Sequence, residues 1–403
     1  MIVQGGLCVN QKMISVTYAC LSLTMAISII YFPHAVLDAS RRGLDMWATV
    51  VFPSLLPFFI VAELLIGFGV VHFVGVLCEP IMRPLFNVPG VGGFVWSMGM
   101  ASGYPSGAKL TARLRQEDQL TKIEAERLLT FTNASNPLFI IGAVSIGFFH
   151  DQKLGILLAI THYLGNFFVG LCMRFYKYNE RSRSSHSFSI IRALHKLHEA
   201  RMKDKRPFGK ILGDAVTQSI QTLLLIGGFI MLFSVITRLI QEMKLSNLIA
   251  HVIGQFLQLF QLPKEMASPL FTGMFEITLG ANEVAHQDET SILVQAVVVA
   301  FILAFNGFSV QAQVASIIAE TDIRFAPYFF GRILHGLIAC LLTILLFKLI
   351  YPVHKPLPAE IPVWYQQSVN QIEQSMQFFN QFGPWLTISA LFVYLLLYLR
   401  HKT

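Results

Sequence analysis

Long apolar stretches, each close to the length that a membrane-spanning helix needs, constrain the fold of this chain more than any other feature. They cover residues 13–32, 154–175, 216–240 and 328–350. A transmembrane helix needs about 20 apolar residues. Only 13% of the 403 residues are charged, whereas a typical soluble domain is about 25% charged. The sequence therefore predicts an all-α, polytopic membrane protein and excludes an ordinary cytosolic enzyme.

One basic segment, residues 174–210, accounts for the positive charge of the chain. Its eleven Lys and Arg residues and three acidic residues give a net charge of +8, whereas the whole chain carries +7. A basic patch could bind nucleic acid, but the aromatic residues of this segment cluster at its start, as at a membrane interface. Short basic loops stay cytoplasmic, so we expect a cytoplasmic loop and C-terminus and no nucleic-acid partner. Residues 190–202 have the pattern of a basic amphipathic helix that lies on anionic lipid.

With this loop inside, the other apolar runs can be given a direction. We expect residues 47–71 to run outward and a shorter run that ends at Arg83 to return. Residues 216–240 and 328–350 are expected to run outward, and residues 385–399 to bring the C-terminus back to the cytoplasm.

Two further apolar segments are interrupted by polar, glycine-containing stretches. Residues 89–114 are interrupted at 102–107, and residues 262–305 are interrupted at 279–283 and at 287–289. Each segment must leave the membrane on the side where it entered, because the flanking spans leave no room for another crossing. We therefore predict two re-entrant helical hairpins, the first opening to the inside and the second to the outside.

Each predicted hairpin is followed by a transmembrane span with a polar break, at residues 131–139 and 305–311. Hairpin, broken span and simple span then occur twice in opposite orientation, which is the inverted-repeat plan of many secondary transporters. The predicted domains, in chain order, are N-terminal transmembrane helices (1–83), a first repeat with hairpin, broken helix and span (84–176), a basic cytoplasmic loop (177–215), a second, inverted repeat (216–350), and an outer loop with a C-terminal transmembrane helix (351–403).

The polar residues at the hairpin tips and at the breaks form the predicted substrate site. Non-helical backbone at membrane depth is tolerated only against protein or a water-filled cavity, and transporter substrates bind at such places. The helix N-terminus after the first tip favours an anion, and Lys109 adds a positive charge. The predicted substrate-binding residues are Ser102, Gly103, Tyr104, Ser106, Gly107, Lys109, Asn133, Ser135, Asn136, Asn282, Asn306, Ser309 and Gln311.

A structural role is the alternative for each of these residues. Lys109 could extend to the membrane interface, and the asparagines could only cap the broken helices. Glu276 and Glu63 are acidic residues inside apolar runs, where ionisable groups are costly and commonly functional. We expect them to bind a proton or a cation that offsets an anionic substrate, or else to hold the structure through hydrogen bonds. The sequence contains no HExxH, Walker or dinucleotide-binding motif, so no enzyme activity, cofactor or metal site is predicted.

The first hairpin and its broken span also resemble a known family. The stretches SGYPSGAKL (102–110), EAERLL (124–129) and NASNPLFIIGAV (133–144) are similar to sporulation integral membrane proteins of endospore-forming bacteria, the YlbJ or stage V sporulation protein V family. The resemblance covers residues 44–350. This family carries the nucleoside-recognition Gate module, which is similar in plan to concentrative nucleoside transporters with their two hairpins and two broken helices.

The resemblance implies a function and a location. Such a protein is expected to move dipicolinic acid, a planar dianion, across the outer forespore membrane towards the spore core. The expected location is the outer forespore membrane or the cell membrane, and the expected partners are the lipid bilayer and a small-molecule substrate, dipicolinate or a related anion. The alternatives are a carrier of nucleosides or other organic anions, and a non-transporting membrane scaffold that acts through the basic loop. The sequence leaves an oligomer open.

Overall fold

A computed structural model describes residues 3–177 and 189–351, and every regular element within them is helical. The helices in chain order are α1 (Val3–Tyr31), α2 (Pro33–Met46), α3 (Phe52–Gly67), α4 (Val70–Phe86), α5 (Val91–Ser102), α6 (Ser106–Gln116), α7 (Lys122–Thr132), α8 (Gln152–Met173), α9 (Ile190–Lys203), α10 (Phe208–Glu242), α11 (Leu245–Leu259), α12 (Ala267–Phe275), α13 (Ile277–Ala285), α14 (Ile292–Phe305), α15 (Gly307–Ile318) and α16 (Phe325–Ile350). The π-helical segments Trp47–Val51 and Leu138–Phe148 precede α3 and α8, and a short 3₁₀ turn, Lys264–Met266, precedes α12.

Several helices have the length and apolar composition of membrane spans. In the described part of the chain, four helical stretches meet both conditions, and two bent pairs, α1 with α2 and α3 with α4, would raise the number to six. The broken span α14–α15 is one of the four. The prediction of an all-α, polytopic membrane protein is confirmed. The predicted outer loop and C-terminal span after residue 351 lie outside the described residues.

The N-terminal helices α2 and α3 run antiparallel to α10, which corrects one predicted direction. Ala39 in α2 shares a buried cluster with Leu239, near the end of α10. At the other end, the ring of Phe68 stacks on Phe208 at the start of α10, with centroids 6.0 Å apart. The expectation that residues 47–71 run in the same direction as α10 is therefore wrong. The end of α3 lies instead at the membrane side where α10 begins.

Helix α4 is not the returning span that was predicted to end at Arg83. It is bent by 84° from α3, and it packs along α5 and α9. Gly69 makes the bend with a left-handed φ of 76°, a conformation that glycine adopts without strain. The 17 residues of α4 are at the lower limit for a membrane span. They include two prolines and the ion pair of Glu79 with Arg83, which makes a crossing by α4 alone unfavourable. The amphipathic helix predicted at 190–202 is present as α9.

The two halves repeat one order of elements in opposite directions. Four kinds of element follow one another twice. They are a short helix (α4 or α11), a hairpin (α5–α6 or α12–α13), a broken span (α7 with the π-helical segment Leu138–Phe148, or α14–α15) and a simple span (α8 or α16). Asp151, before α8, accepts a hydrogen bond from the hydroxyl of Tyr351, after α16. Tyr176, after α8, accepts a hydrogen bond of 2.7 Å from Arg324, before α16. The simple spans are therefore antiparallel, in agreement with the predicted inverted repeat.

The second hairpin breaks at a different place from the one predicted. The first turns at Gly103, inside the predicted interruption at 102–107, but residues 279–283 lie within α13. The second break is at Glu276, whose backbone is extended. Its carboxylate accepts a hydrogen bond of 2.8 Å from the backbone N–H of Leu279, so a single capping residue begins the new helix.

Glycines allow the two arms of the second hairpin to touch. A Cβ atom on Gly280 would overlap the backbone of Gly273 on the opposite arm. In the first hairpin, Cβ atoms on Gly99 and Gly107 would both overlap the carbonyl oxygen of Thr132 in the broken span. The glycine-containing stretch at 279–283 thus serves close packing, which explains why it does not interrupt the helix.

We expect Gly280→Ala to destabilise the protein, because the new methyl group meets backbone that cannot move aside. Overpacking of this kind costs about 1–3 kcal/mol, and thermal unfolding of the full chain in detergent would measure it. Gly228→Ala on α10 is the matched control, since a Cβ there meets nothing within 4 Å and alanine favours the helix. Equal unfolding temperatures for the two variants would contradict the close packing.

Candidate functional site

A central cavity of about 600 Å³ lies where the hairpins, the broken spans and the N-terminal helices meet. One wall is mostly apolar and comes from the stretch α2–α3 and from α10, including Leu55, Ile226 and Ile230. The other wall comes from the hairpins and broken spans. Its polar residues, together with Gly103 at the first tip, are Tyr104, Ser135, Asn136, Glu276, Thr278, Ser309 and Gln313. Five predicted substrate residues and the predicted coupling residue Glu276 thus line one cavity.

Four helices begin at the wall of this central cavity, so their N-termini meet there. They belong to α6, the π-helical segment Leu138–Phe148, α13 and α15. Residues just before these starts, or in their first turns, lie on the cavity wall, namely Tyr104, Asn136, Thr278 and Ser309. A helix N-terminus carries a partial positive charge and free N–H groups. Their convergence at membrane depth favours a ligand with negative charge.

Glu276 is the one charged side chain among the described residues that line the cavity. It is only 6% exposed, and besides the Leu279 N–H its carboxylate accepts a 3.3 Å hydrogen bond from the Thr278 hydroxyl. The cavity therefore combines converging positive helix ends with one acid. No three His, Cys, Asp or Glu side chains within residues 3–177 and 189–351 are arranged to hold a metal ion.

Asn133 and Asn306 join the two breaks beneath the cavity. The Nδ2 groups of both donate to the hydroxyl oxygen of Tyr328, at 2.8 Å and 3.1 Å, and Asn306 also donates to the carbonyl of Asn133 at 3.1 Å. Their Oδ1 atoms are buried without a hydrogen-bond partner in the described part of the chain. These asparagines hold the two broken spans together rather than line the cavity.

Arg332 also contacts the first break, although it is not among the site residues predicted from the sequence. Its guanidinium, fully buried in α16, donates to the carbonyls of Thr130 and Asn133, the latter at 3.0 Å, and to Oδ1 of Asn166 at 3.0 Å. These carbonyls are at the C-terminal end of α7, where a cation is favoured. An arginine inside the apolar run 328–350 was a signal that could have identified it.

Helix α8 supplies further partners to the unwound segment. The backbone N–H of Ser135 donates to Nε2 of His162 at 3.0 Å, and its carbonyl accepts from the hydroxyl of Tyr163 at 2.9 Å. At the hairpin tip, Nδ2 of Asn136 donates to the carbonyl of Ser102 at 3.1 Å. The segment is thus unwound but fixed, because each of these backbone groups has a partner.

Several predicted site residues lie away from the central cavity. Lys109 pairs with Glu63 at 2.9 Å, beside a second cavity of about 300 Å³ between α3, α6, α10 and α15. Asn282 lines a third cavity, at the open end of the second hairpin. The remaining predicted residues pack behind the breaks and are Ser102, Ser106, Gly107 and Gln311.

Comparison with known proteins shows which family carries these features. Residues 48–150 and 223–322 match the Gate family model, described as nucleoside recognition. Two solved structures of CNTnw, in an intermediate and an outward-facing state, are each 11% identical, with TM-scores of 0.42 and 0.41; they cover 87% and 84% of this chain, and 88% and 86% of their own. The sporulation integral membrane protein YlbJ of Bacillus subtilis (strain 168) is 54% identical over 391 residues, 93% of this chain and 94% of that protein. At that identity over nearly the whole of both chains, this chain belongs to the YlbJ family of sporulation integral membrane proteins.

Proposed function

We propose that this protein is a membrane transporter of a small organic anion, dipicolinic acid, across the outer forespore membrane during sporulation. The observation that carries the proposal is the convergence of four helix N-termini on one cavity of about 600 Å³. The similarity of this chain to a sporulation integral membrane protein supports a role during sporulation. The basic loop and the C-terminus are proposed to face the cytoplasm.

The two walls of the central cavity suit the two sides of such a substrate. Dipicolinate has an apolar ring face and two carboxylates at its edge. The apolar wall of α3 and α10 can cover the ring, while the hairpin tips and breaks face the carboxylates. The hydroxyl oxygens of Tyr104 and Ser135 are buried, and no described group hydrogen bonds to them at normal geometry. Because an unpaired buried hydroxyl is costly, these two groups are suitable donors to a carboxylate.

Glu276 is proposed to couple transport to protons. A carboxylate there would repel a dianion in the same cavity, by about 4 kcal/mol for two unit charges 4 Å apart at an effective dielectric constant of about 20. Uptake of a proton by Glu276 removes this repulsion, and a bound cation would do the same. Glu63 is a weaker candidate for this role, because it pairs with Lys109 outside the central cavity.

A nucleoside is the second candidate substrate. The matching family model is described as nucleoside recognition, and the amides of Asn136 and Gln313 on the cavity wall can recognise a neutral, polar ring. A scaffold function would instead depend on the basic loop. Deletion of residues 181–205 would then abolish function, whereas Glu276→Gln in the cavity would leave it intact. Transport predicts that the deletion leaves function intact and that Glu276→Gln alters it.

Uptake into proteoliposomes tests the proposed substrate. We expect saturable uptake of labelled dipicolinate, faster with an inward proton gradient, and slower uptake of uridine. Asn136→Ala should lower dipicolinate uptake about tenfold, because it removes a buried hydrogen bond worth about 1–3 kcal/mol. Asn247→Ala, on the exposed surface of α11, is the matched control. If correctly inserted protein takes up neither compound, the transport proposal is wrong.

Glu276→Gln tests the proton coupling separately. Glutamine keeps the shape and can still accept from the Leu279 N–H, but it takes up no proton. We expect dipicolinate uptake by this variant to be insensitive to the proton gradient. Glu283→Gln is the control, since Glu283 is on the same helix but lines the cavity at the open end of the hairpin. Full stimulation of Glu276→Gln by the gradient would exclude Glu276 as the coupling residue.

A further inference from the structure

The central cavity has no positively charged side chain on its wall, among the residues that the structure describes. Lys109, the cation that the sequence placed at this site, is paired with Glu63 elsewhere. Glu276, the one charged group on the wall, has the opposite sign. An anion in this cavity therefore depends on helix ends and on any full positive charge that lies behind the wall.

Arg332 supplies such a charge. Its Nη1 lies 3.0 Å from the carbonyl oxygen of Asn133, and Ser135, two residues further along the chain, lines the cavity. Two extended residues span at most about 7 Å. The guanidinium consequently lies within about 10 Å of the cavity wall.

The charge of Arg332 is not cancelled where it lies. Besides two backbone carbonyls of the first broken span, it donates to Oδ1 of Asn166 at 3.0 Å and contacts Nδ1 of His335 at 3.1 Å. Nε2 of His335 lies 2.9 Å from the carbonyl of His162, to which it must donate, so Nδ1 accepts from Arg332 and the ring is neutral. Within residues 3–177 and 189–351, every partner assigned to Arg332 is uncharged.

We propose that Arg332 determines the selectivity of the central cavity for anions, acting through space as the counter-charge of the substrate. This inference rests on the proposed function, because it requires an anionic substrate. At about 10 Å and an effective dielectric constant of about 20, each unit of substrate charge changes affinity roughly tenfold, and salt screens buried charges little. A neutral ligand of the same shape does not respond to this charge.

Asn166→Asp cancels the charge without removing a hydrogen bond. Oδ1 of Asn166 accepts from Arg332, whereas its Nδ2 is buried and has no hydrogen-bond partner in the described part of the chain. Aspartate has the same shape, keeps the accepting oxygen and places a carboxylate against the guanidinium. A merely structural role of Arg332 is therefore preserved in this variant, while its electrostatic role is lost.

The experiment compares a charged and a neutral ligand of the same shape. Full-length protein in proteoliposomes is assayed for the KM of dipicolinate and for the inhibition constant of pyridine-2,6-dicarboxamide. We expect Asn166→Asp to raise the KM of dipicolinate at least tenfold and to change the inhibition constant of the diamide less than twofold. Asn247→Asp, on the exposed surface of α11, should change neither.

Two results would overturn the inference. They are an unchanged KM for dipicolinate in Asn166→Asp, and an equal loss for both ligands. If Asn166→Asp does not insert, Arg332→Lys and Arg332→Gln test the inference instead. The ratio of the KM of dipicolinate to the inhibition constant of the diamide should stay unchanged in Arg332→Lys, which keeps the charge, and should rise in Arg332→Gln, which removes it. Absence of dipicolinate uptake by the wild type would count against the proposed function, whereas normal uptake by Asn166→Asp counts only against the role of Arg332.

Discussion

The need to satisfy broken backbone at membrane depth determines how the rest of this protein is arranged. Each broken span leaves carbonyl and N–H groups outside the helical hydrogen-bond pattern, and at membrane depth each such group costs several kcal/mol without a partner. In the first break these partners come from α8 and α16, through His162, Tyr163 and Arg332. The polar residues of the simple spans therefore stabilise the unwound segment of the first break.

The sequence was sufficient where a break is made by the backbone itself. Gly103 ends α5 and Pro105 precedes α6 at the first tip. Pro137 precedes the second part of the first broken span, so the first hairpin and its broken span were located correctly. The second hairpin was located, but its tip was misplaced. There a single extended residue, Glu276, makes the break and caps the new helix. From the sequence, one acidic residue in an apolar run fits a hairpin tip as well as it fits a buried ion pair inside a helix.

Direction and depth were harder to predict than helix content. Hydropathy does not separate a short span from an amphipathic helix, so α4 was assigned a crossing of its own, whereas a bend of 84° joins it to α3. The predicted direction of α3 relative to α10 was wrong as well. Lys109 was assigned to the substrate because charge and position favoured it, but its partner Glu63 comes from a distant helix. Only three-dimensional contacts reveal such a pairing.

The polarity of the central cavity comes mainly from the ends of helices. Four N-termini and a few neutral side chains form its polar wall, whereas the full charges of Glu276 and Arg332 have opposite signs and different positions, one on the wall and one behind it. Such an arrangement indicates the sign of the proposed ligand more readily than its identity. Residue types at the breaks therefore indicated a binding site without naming the substrate.

The contacts at the first break also set an order for assembly. The carbonyl and the side chain of Asn133 find their partners in Arg332 and Tyr328, 199 and 195 positions later in the chain. At the usual rate of synthesis, these partners emerge from the ribosome roughly 10–40 s afterwards. During that interval the carbonyl oxygen and the side-chain amide of Asn133 lack these two partners. The first repeat thus cannot mature as an independent unit, and insertion of α16 is the step that completes it.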